Sequence, residues 1–176
     1  MPSSIEFLER LIAFPTVSRD SNIALIDYVR SFLAELGVSS MLAPSEDGRK
    51  ANLWATIGPA HVPGIVLSGH TDVVPVEGQA WSSDPFRMVR RDGNFHGRGS
   101  ADMKGGLAAA MVAAAAVRRA GVPFAGRLMV AALVDEDLDA AVEAELSGQR
   151  RIAAERRQAE AEHAAEMRGD LSAALV

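Results

Sequence analysis

The sequence is informative first through what it lacks. It contains no cysteine, so disulfide bonds and thiolate metal sites are excluded, and any metal ion must be held by histidine, aspartate or glutamate. Aromatic residues make up only 5% of the 176 residues although 48% are apolar, so the core must consist mainly of aliphatic side chains and alanine. A chain of this length is long enough for one domain with a substantial core.

Neither a leader nor a membrane span is predicted. The N-terminus, MPSSIEFLERL, has no basic stretch followed by the apolar run of a signal peptide. The longest apolar run, LAAAMVAAAAV at residues 107–117, is rich in alanine and too short to cross a bilayer. The net charge of −5 disfavours non-specific binding to nucleic acid. We therefore expect a cytoplasmic protein that binds neither membranes nor nucleic acid.

The negative charge belongs to the end of the chain. Residues 1–134 carry 13 basic and 12 acidic side chains, whereas residues 135–176 carry 5 basic and 11 acidic ones. From residue 138 onward the sequence contains 11 alanines and few large apolar side chains, which predicts a solvated alanine-rich helix rather than a packed domain. We expect residues 1–137 to form one unit and residues 138–176 to form an atypical helical, charged tail.

Helical and strand patterns alternate through the first 137 residues. Apolar spacing predicts helices over residues 4–14, 22–37 and 101–121. Strands are predicted over residues 38–44, 52–58, 63–70 and 126–136, and a hairpin over residues 86–99 around an Asp-Gly turn. The continuous apolar run at 63–70 predicts a strand covered on both faces. Together these patterns predict an α/β fold with a mostly parallel central sheet flanked by helices.

Charged side chains lie where the predicted strands end. His70 and Asp72 follow one strand, residues 135–137 (Asp-Glu-Asp) follow another, and Asp102 begins a helix. Ligands of α/β sheets gather at the carboxyl ends of strands, so these groups are expected to converge. One imidazole and several carboxylates suit Zn²⁺, Co²⁺ or Mn²⁺. Because residues i and i+2 of an extended segment share a face, Asp72 can accept the second N–H of His70 and fix its tautomer.

Each of these signals, taken alone, has a second interpretation without a metal. His-x-Asp is a short pattern that also occurs among polar surface residues, and the Asp-Glu-Asp run is compatible with a solvated loop. Asp102 is compatible with a first-turn acid that the helix dipole favours. The joint order of the three signals, each at the end of a strand or the start of a helix, favours the metal-site interpretation.

Longer segments around these residues resemble a known family. SGHTDVVPVEGQAWSSDPF, GRGSADMKGGLAAAM and the strand ending in Asp-Glu resemble the zinc metallopeptidase and deacylase family that contains acetylornithine deacetylase and succinyl-diaminopimelate desuccinylase. The resemblance spans about residues 4–137, and the segment FLERLIAFPTVSRDSN brings it closest to the acetylornithine deacetylase branch. It implies the N-terminal part of a zinc-peptidase catalytic domain.

The resemblance implies a role for each charged residue. His70 would bind one metal and Asp72 would orient it, while Asp102 would bridge two zinc ions, for which cobalt can substitute. Glu136 would be the general base, and Asp137 would bind the other metal where the family usually has glutamate. The implied reaction removes the acyl group from a small N-acyl amino acid, first of all N-acetylornithine, giving ornithine and acetate in arginine biosynthesis.

Other parts of the family pattern cannot be recognised after residue 137. These are a further carboxylate ligand, a last histidine ligand and a smaller inserted domain. We therefore hypothesise a truncated or frameshifted family member, and an intact downstream reading frame at the locus would support this whereas its absence would count against it. The alternative function is a catalytically incomplete fragment that acts, if at all, as a self-associating or binding module, because a sheet without its later strands leaves an open edge.

Overall fold

The computed structural model describes residues 2–59, 62–121, 126–134 and residue 158. Nine elements follow one another in these ranges: α1 (Ser4–Ile12), α2 (Ile23–Glu35), β1 (Ser40–Pro44), β2 (Ala51–Ile57), β3 (Gly64–His70), β4 (Val89–Arg91), β5 (Asn94–His96), α3 (Lys104–Ala120) and β6 (Arg127–Leu133). The predicted tail, residues 138–176, lies outside the described residues except for residue 158, so its boundary at residue 137 stays a prediction. No helix in the described ranges is long and apolar enough to cross a membrane.

Helix α1 begins at a capping box. The Ser3 hydroxyl accepts the Glu6 N–H at 3.2 Å, and the Glu6 carboxylate accepts the Ser3 N–H at 2.7 Å. This exchange satisfies two backbone donors that the first turn of a helix leaves free. Of the apolar residues predicted to share a face, Leu8, Leu11 and Ile12 are buried, but Ile5 is 45% exposed and Phe7 is fully enclosed instead. The start of α1 therefore follows from local sequence, and its inward face does so only in part.

Four of the strands form a sheet in the order β1-β2-β6-β3. The α/β class is confirmed, but the expectation of a mostly parallel sheet is wrong for these strands. Strands β3 and β6 are parallel, whereas β1–β2 and β2–β6 are antiparallel. The short polar turn at residues 45–50 accounts for the first antiparallel pair, because a tight turn can join only antiparallel neighbours. The β3–β6 pair is parallel because α3 lies in the long connection between them.

Strand β3 is less buried than its apolar run predicted. It lies at one edge of the four-stranded sheet, and the Ile65 side chain is 68% exposed. Strand β6 is one of the two interior strands, and its Met129, Val130, Ala131 and Ala132 are all buried. An apolar run shows that a strand can be covered on both faces. It does not show which strand occupies the middle of the sheet.

The core lies between the sheet and the three helices. Buried side chains of α1, α2 and α3 pack with the inward residues of β2 and β6 in a single cluster. Phe7 is at its centre, with its ring 4.7 Å from that of Phe32 and 5.2 Å from that of Tyr28. Helix α3 contributes three alanines, one leucine and one methionine; it stops at Gly121 as predicted, and this glycine has the left-handed conformation. The aliphatic and alanine core expected from composition is confirmed.

Replacing Phe7 by alanine is expected to lower the free energy of unfolding by about 3–5 kcal/mol, because the change leaves a cavity among fully buried side chains. Ile5→Ala, in the same helix but 45% exposed, is the matched control and is expected to change it by at most about 0.5 kcal/mol. Urea denaturation of both variants measures the difference. Equal losses would contradict the assigned inward face of α1.

Candidate metal centre

The end of β3 presents alternate residues to opposite sides. His70 and Asp72 face a surface cavity, whereas Thr71 between them is fully buried. This follows from the two-residue period of an extended chain. The Asp72 side chain is 11% exposed and that of His70 is 37% exposed, so the pair forms part of the cavity floor while remaining open to solvent. The predicted common face of these two residues is therefore observed.

The His70 ring is held on its Nδ1 side by Asp72. Nδ1 donates to the Asp72 carbonyl oxygen at 3.0 Å and lies 3.2 Å from the carboxylate Oδ1. A carbonyl oxygen can only accept, so Nδ1 must carry a hydrogen. In the neutral ring this leaves the lone pair on Nε2, the atom that points away from Asp72. The backbone and side chain of one residue thus fix both the tautomer and the direction of the imidazole.

The Nε2 side of the ring meets Asp102. This aspartate directly precedes Met103 at the start of α3, and Nε2 lies 3.0 Å from its Oδ1. The Asp102 side chain is 88% exposed. Partial burial by itself lowers the pKa of His70. The hydrogen bonds to Asp102 and to the Asp72 carbonyl, together with the charges of both aspartates, outweigh burial and raise that pKa above its ordinary value of 6.5.

Two residues support Asp72 from behind. The Ser18 hydroxyl donates to Asp72 Oδ2 at 2.6 Å, which leaves Oδ1 turned toward His70. The Lys104 side chain is fully buried, and its Nζ donates to the Phe14 carbonyl at 2.7 Å. Burial lowers the pKa of Lys104 to about 8, and the opposing effect is its attraction to the Asp72 carboxylate. Asp72 therefore accepts a hydrogen bond from Ser18 and is attracted by the buried ammonium group of Lys104.

The cavity above this pair has a volume of about 470 Å³. One wall is the segment 97–102, and Gly99 in it has a φ of 82° and passes close to Val73. A side chain at position 99 would approach Val73 Cγ1 to 2.8 Å, so only glycine allows this wall to lie against Val73. The Arg98 guanidinium lies 4.9 Å from the centre of the Trp81 ring and donates to Gln79, which ties the neighbouring loop to the same wall.

The separation of His70 and Asp102 suits a shared divalent cation. Two ligand atoms on a tetrahedral zinc ion, with bonds of about 2.0 Å, lie about 3.3 Å apart. The observed Nε2–Oδ1 separation of 3.0 Å is close to this value, and Nε2 is the nitrogen left free by the Asp72 contact. The residues present therefore fit two donors of a metal site.

The structure brings together three of the five predicted site residues. His70, Asp72 and Asp102 meet at one edge of the sheet, although 32 positions separate the first from the last. Glu136 and Asp137 lie outside the described residues. Within the described ranges, no group of three or more histidine, aspartate or glutamate side chains is arranged to hold a metal ion. A complete donor set would thus need residues beyond these ranges.

Sequence reasoning did not identify the supporting residues. Ser18 is 54 positions from Asp72, and its segment carries only the signal that a helix ends before Pro15. Lys104 lies within the segment predicted as a helix over residues 101–121, which is correct for its backbone but does not indicate a buried ammonium group. The sequence did offer one signal for Lys104: it lies two positions after the candidate ligand Asp102, within a run of small residues.

The family model for peptidase family M20/M25/M40 matches residues 66–171, more than half of the chain. The chain belongs to this family. The predicted resemblance is therefore confirmed, and His70, Asp72 and Asp102 all lie within the matched range. The match also extends beyond residue 137, where the sequence pattern predicted a boundary.

Two relatives and one solved structure show how similar this chain is to known proteins. Acetylornithine deacetylase of Pasteurella multocida is 41% identical over 112 residues, which cover 60% of this chain and 29% of the relative. Succinyl-diaminopimelate desuccinylase of Xanthomonas oryzae is 49% identical over 107 residues, covering 60% and 27%. A metallo-carboxypeptidase of the M20 family from Sulfolobus solfataricus has the same fold, with a TM-score of 0.66 at 20% identity over 78% of this chain and 32% of that one.

These comparisons limit what family membership implies about the activity of this chain. The matched part of this chain spans less than a third of the length of either curated relative. The family and the fold are thus established by sequence and structure together. Two relatives whose names give different substrates each match 60% of this chain.

In the metal-free protein, His70 is expected to titrate above 6.5, and Asp102→Asn is expected to lower that value because the charged acceptor is lost. A raised folded pKa means that protonated His70 contributes stability that is present below about pH 6.5 and is lost as pH rises through the folded value. NMR titration of the histidine ring signals, with His70→Gln for assignment, measures the pKa. An unshifted signal, or one insensitive to Asp102→Asn, would contradict the described contact.

Proposed function

We propose that this chain carries the metal-binding part of an amide hydrolase that removes the acyl group from an N-acyl amino acid. The observation that carries the proposal is the His70–Asp102 pair, with His70 held on its other nitrogen by Asp72, in a member of peptidase family M20/M25/M40. The names of two relatives, a deacetylase and a desuccinylase, both describe removal of an acyl group. An imidazole and carboxylates at one cavity provide the donors that such chemistry needs.

His70 and Asp102 would hold one metal ion, and Asp102 and Asp137 would hold a second. The preferred ion is Zn²⁺, two per complete site, with Co²⁺ as an active substitute, because the donors are imidazole and carboxylate. When bound, the metal polarises the amide carbonyl and makes water a better nucleophile at neutral pH. Aspartate at position 137 has a shorter side chain than the glutamate usual in the family, so it would have to lie nearer to the ion.

The chain's own residues would manage the protons. Glu136 would act as general base, taking a proton from the attacking water and passing it to the leaving amine. Asp72 would not touch the substrate; it keeps the hydrogen of His70 on Nδ1 so that Nε2 stays available to the metal. Ser18 would hold the direction of the Asp72 carboxylate through its hydrogen bond, and the buried Lys104 ammonium group would attract that carboxylate.

For the substrate we propose N-acetylornithine first, with N-succinyl-diaminopimelate as its competitor. The deacetylase is similar over a slightly longer stretch and the desuccinylase is similar at higher identity, so the two relatives support different acyl groups. Both substrates carry charged amino and carboxyl groups that a small polar cavity can accommodate. Hydrolysis of the first would release ornithine and acetate, a step of arginine biosynthesis.

A second candidate is a self-associating or binding module without catalysis. It is favoured by the exposed apolar side chains on the two outer strands of the four-stranded sheet, where Met41 of β1 is 65% exposed and Ile65 of β3 is 68% exposed. Exposed apolar edge strands promote pairing with another chain. The two candidates differ in metal content, because a module of this kind needs no bound ion.

Metal analysis combined with an assay on both substrates tests the proposal. The purified full chain is expected to contain zinc and to hydrolyse one of the two substrates, while Glu136→Gln is expected to keep the metal and lose about 10²–10⁴-fold in kcat, because a general base is removed. Asp102→Asn is expected to lose metal as well. Asp92→Asn, in the hairpin turn where φ is 52°, is the matched control and is expected to retain both.

Each result that would contradict the proposed function has a different meaning. A wild-type chain that binds no zinc and forms concentration-dependent oligomers in sizing experiments would favour the second candidate. A Glu136→Gln variant with wild-type turnover would remove Glu136 from the mechanism while leaving the metal site intact. Metal loss in Asp92→Asn equal to that in Asp102→Asn would mean that the loss reflects charge or folding in general.

A further inference from the structure

The segment that precedes Glu136 is fixed by polar contacts that the proposed chemistry does not use. The Leu133 carbonyl, at the end of β6, accepts the Thr71 N–H at 2.6 Å and the Thr71 hydroxyl at 2.8 Å. The next residue, Val134, donates its N–H to Asn52 Oδ1 at 2.8 Å. Three hydrogen bonds from β2 and from the end of β3 thus hold the last two described residues before position 135.

Thr71 is suited to this role by its place in the chain. It lies between His70 and Asp72 and points to the opposite side, where it is fully buried. Its hydroxyl donates to Leu133 and accepts from the Asn22 side chain at 3.1 Å, and its own carbonyl accepts from Thr16 at 2.6 Å. Every polar group of Thr71 has a partner, as a buried threonine requires. The residue that separates the two site residues of β3 is therefore also the one that holds the end of β6.

The network continues into the N-terminal part of the chain. Asn22 is 1% exposed, and its amide also exchanges two hydrogen bonds of 2.9 Å with the Ala51 backbone at the start of β2. Asn52 follows directly and holds Val134. The ends of β3 and β6 and the start of β2 are thus joined at one corner. A shift of the β6 end relative to His70 would break several buried hydrogen bonds at once, each costly to leave unmade.

We propose that Thr71 and Asn52 are positioning residues that fix His70, at the end of β3, against Leu133 and Val134 at the end of β6. This inference rests on the proposed function, because it takes His70 as a metal donor. Neither Thr71 nor Asn52 touches the metal or the substrate. Thr71 acts through the Leu133 carbonyl and Asn52 through the Val134 N–H.

Two independent variants separate this role from general stability. Thr71→Val keeps the branched shape but removes the hydroxyl, and Thr71→Ser restores it. Asn52→Ala removes the contact with Val134 from β2 without altering residues 70–72, and Asn52→Asp keeps an acceptor oxygen there. The stability control is Val29→Ala, a fully buried position in α2 whose loss of packing leaves the corner unchanged.

The readout is the titration of the metal-free full chain with Co²⁺, followed by the visible absorption of the bound ion, which reports its coordination geometry. Measured well below each melting temperature, Thr71→Val and Asn52→Ala are expected to bind Co²⁺ about ten-fold more weakly with an altered spectrum, the lower end of the loss seen when residues that orient metal ligands are removed. Thr71→Ser, Asn52→Asp and Val29→Ala are expected to remain near wild type.

The possible results separate a failure of the positioning role from a failure of the proposed function. If wild type binds no Co²⁺, the proposed function falls and this inference with it. If wild type binds Co²⁺ but Asn52→Ala and Thr71→Val match Val29→Ala in affinity and spectrum, the positioning role alone is overturned. Because Asn52 is only half-buried, its variant decides the matter even if Thr71→Val does not fold.

Discussion

The parallel pairing of β3 and β6 is the constraint on which the candidate site depends. It aligns His70 with Leu133, so the two strands deliver their carboxyl ends to the same edge of the sheet. Apolar residues upstream of that edge make the pair rigid, while the polar residues that follow are free to face a cavity. A pairing shifted by one residue would turn His70 toward the helices and Thr71 toward the cavity, because side chains alternate along a strand.

Rigidity at that edge is obtained with polar rather than apolar contacts. Thr16, Asn22 and Thr71 are buried, and each of their side chains has a hydrogen-bond partner within the same corner. Apolar side chains would fill the space equally well but would tolerate small sliding of one strand past another. Directional hydrogen bonds do not tolerate such sliding. They therefore suit this corner of the sheet, where the separation of two chain segments matters more than the free energy gained by burial.

Local sequence predicted the helices, the turn at Asp92 and the class of the fold, because capping, periodicity and turn chemistry act over a few residues. It also predicted the shared face of His70 and Asp72. It failed where the determinant was distant: the direction of β2 and the edge position of β3 depend on strand order. Ser18 reaches Asp72 across 54 positions, and no local pattern encodes such a contact.

The hydrogen bond between His70 and Asp102 makes proton and metal competitors for the same place. In the metal-free protein the contacts favour protonated His70, whose Nε2 hydrogen lies toward Asp102. A metal ion at Nε2, as proposed above, would have to displace that proton, so its binding would weaken as pH falls. The Asp72 carbonyl would keep the hydrogen on Nδ1 in both states. The orientation of the imidazole would therefore be the same with a proton or with a metal ion on Nε2.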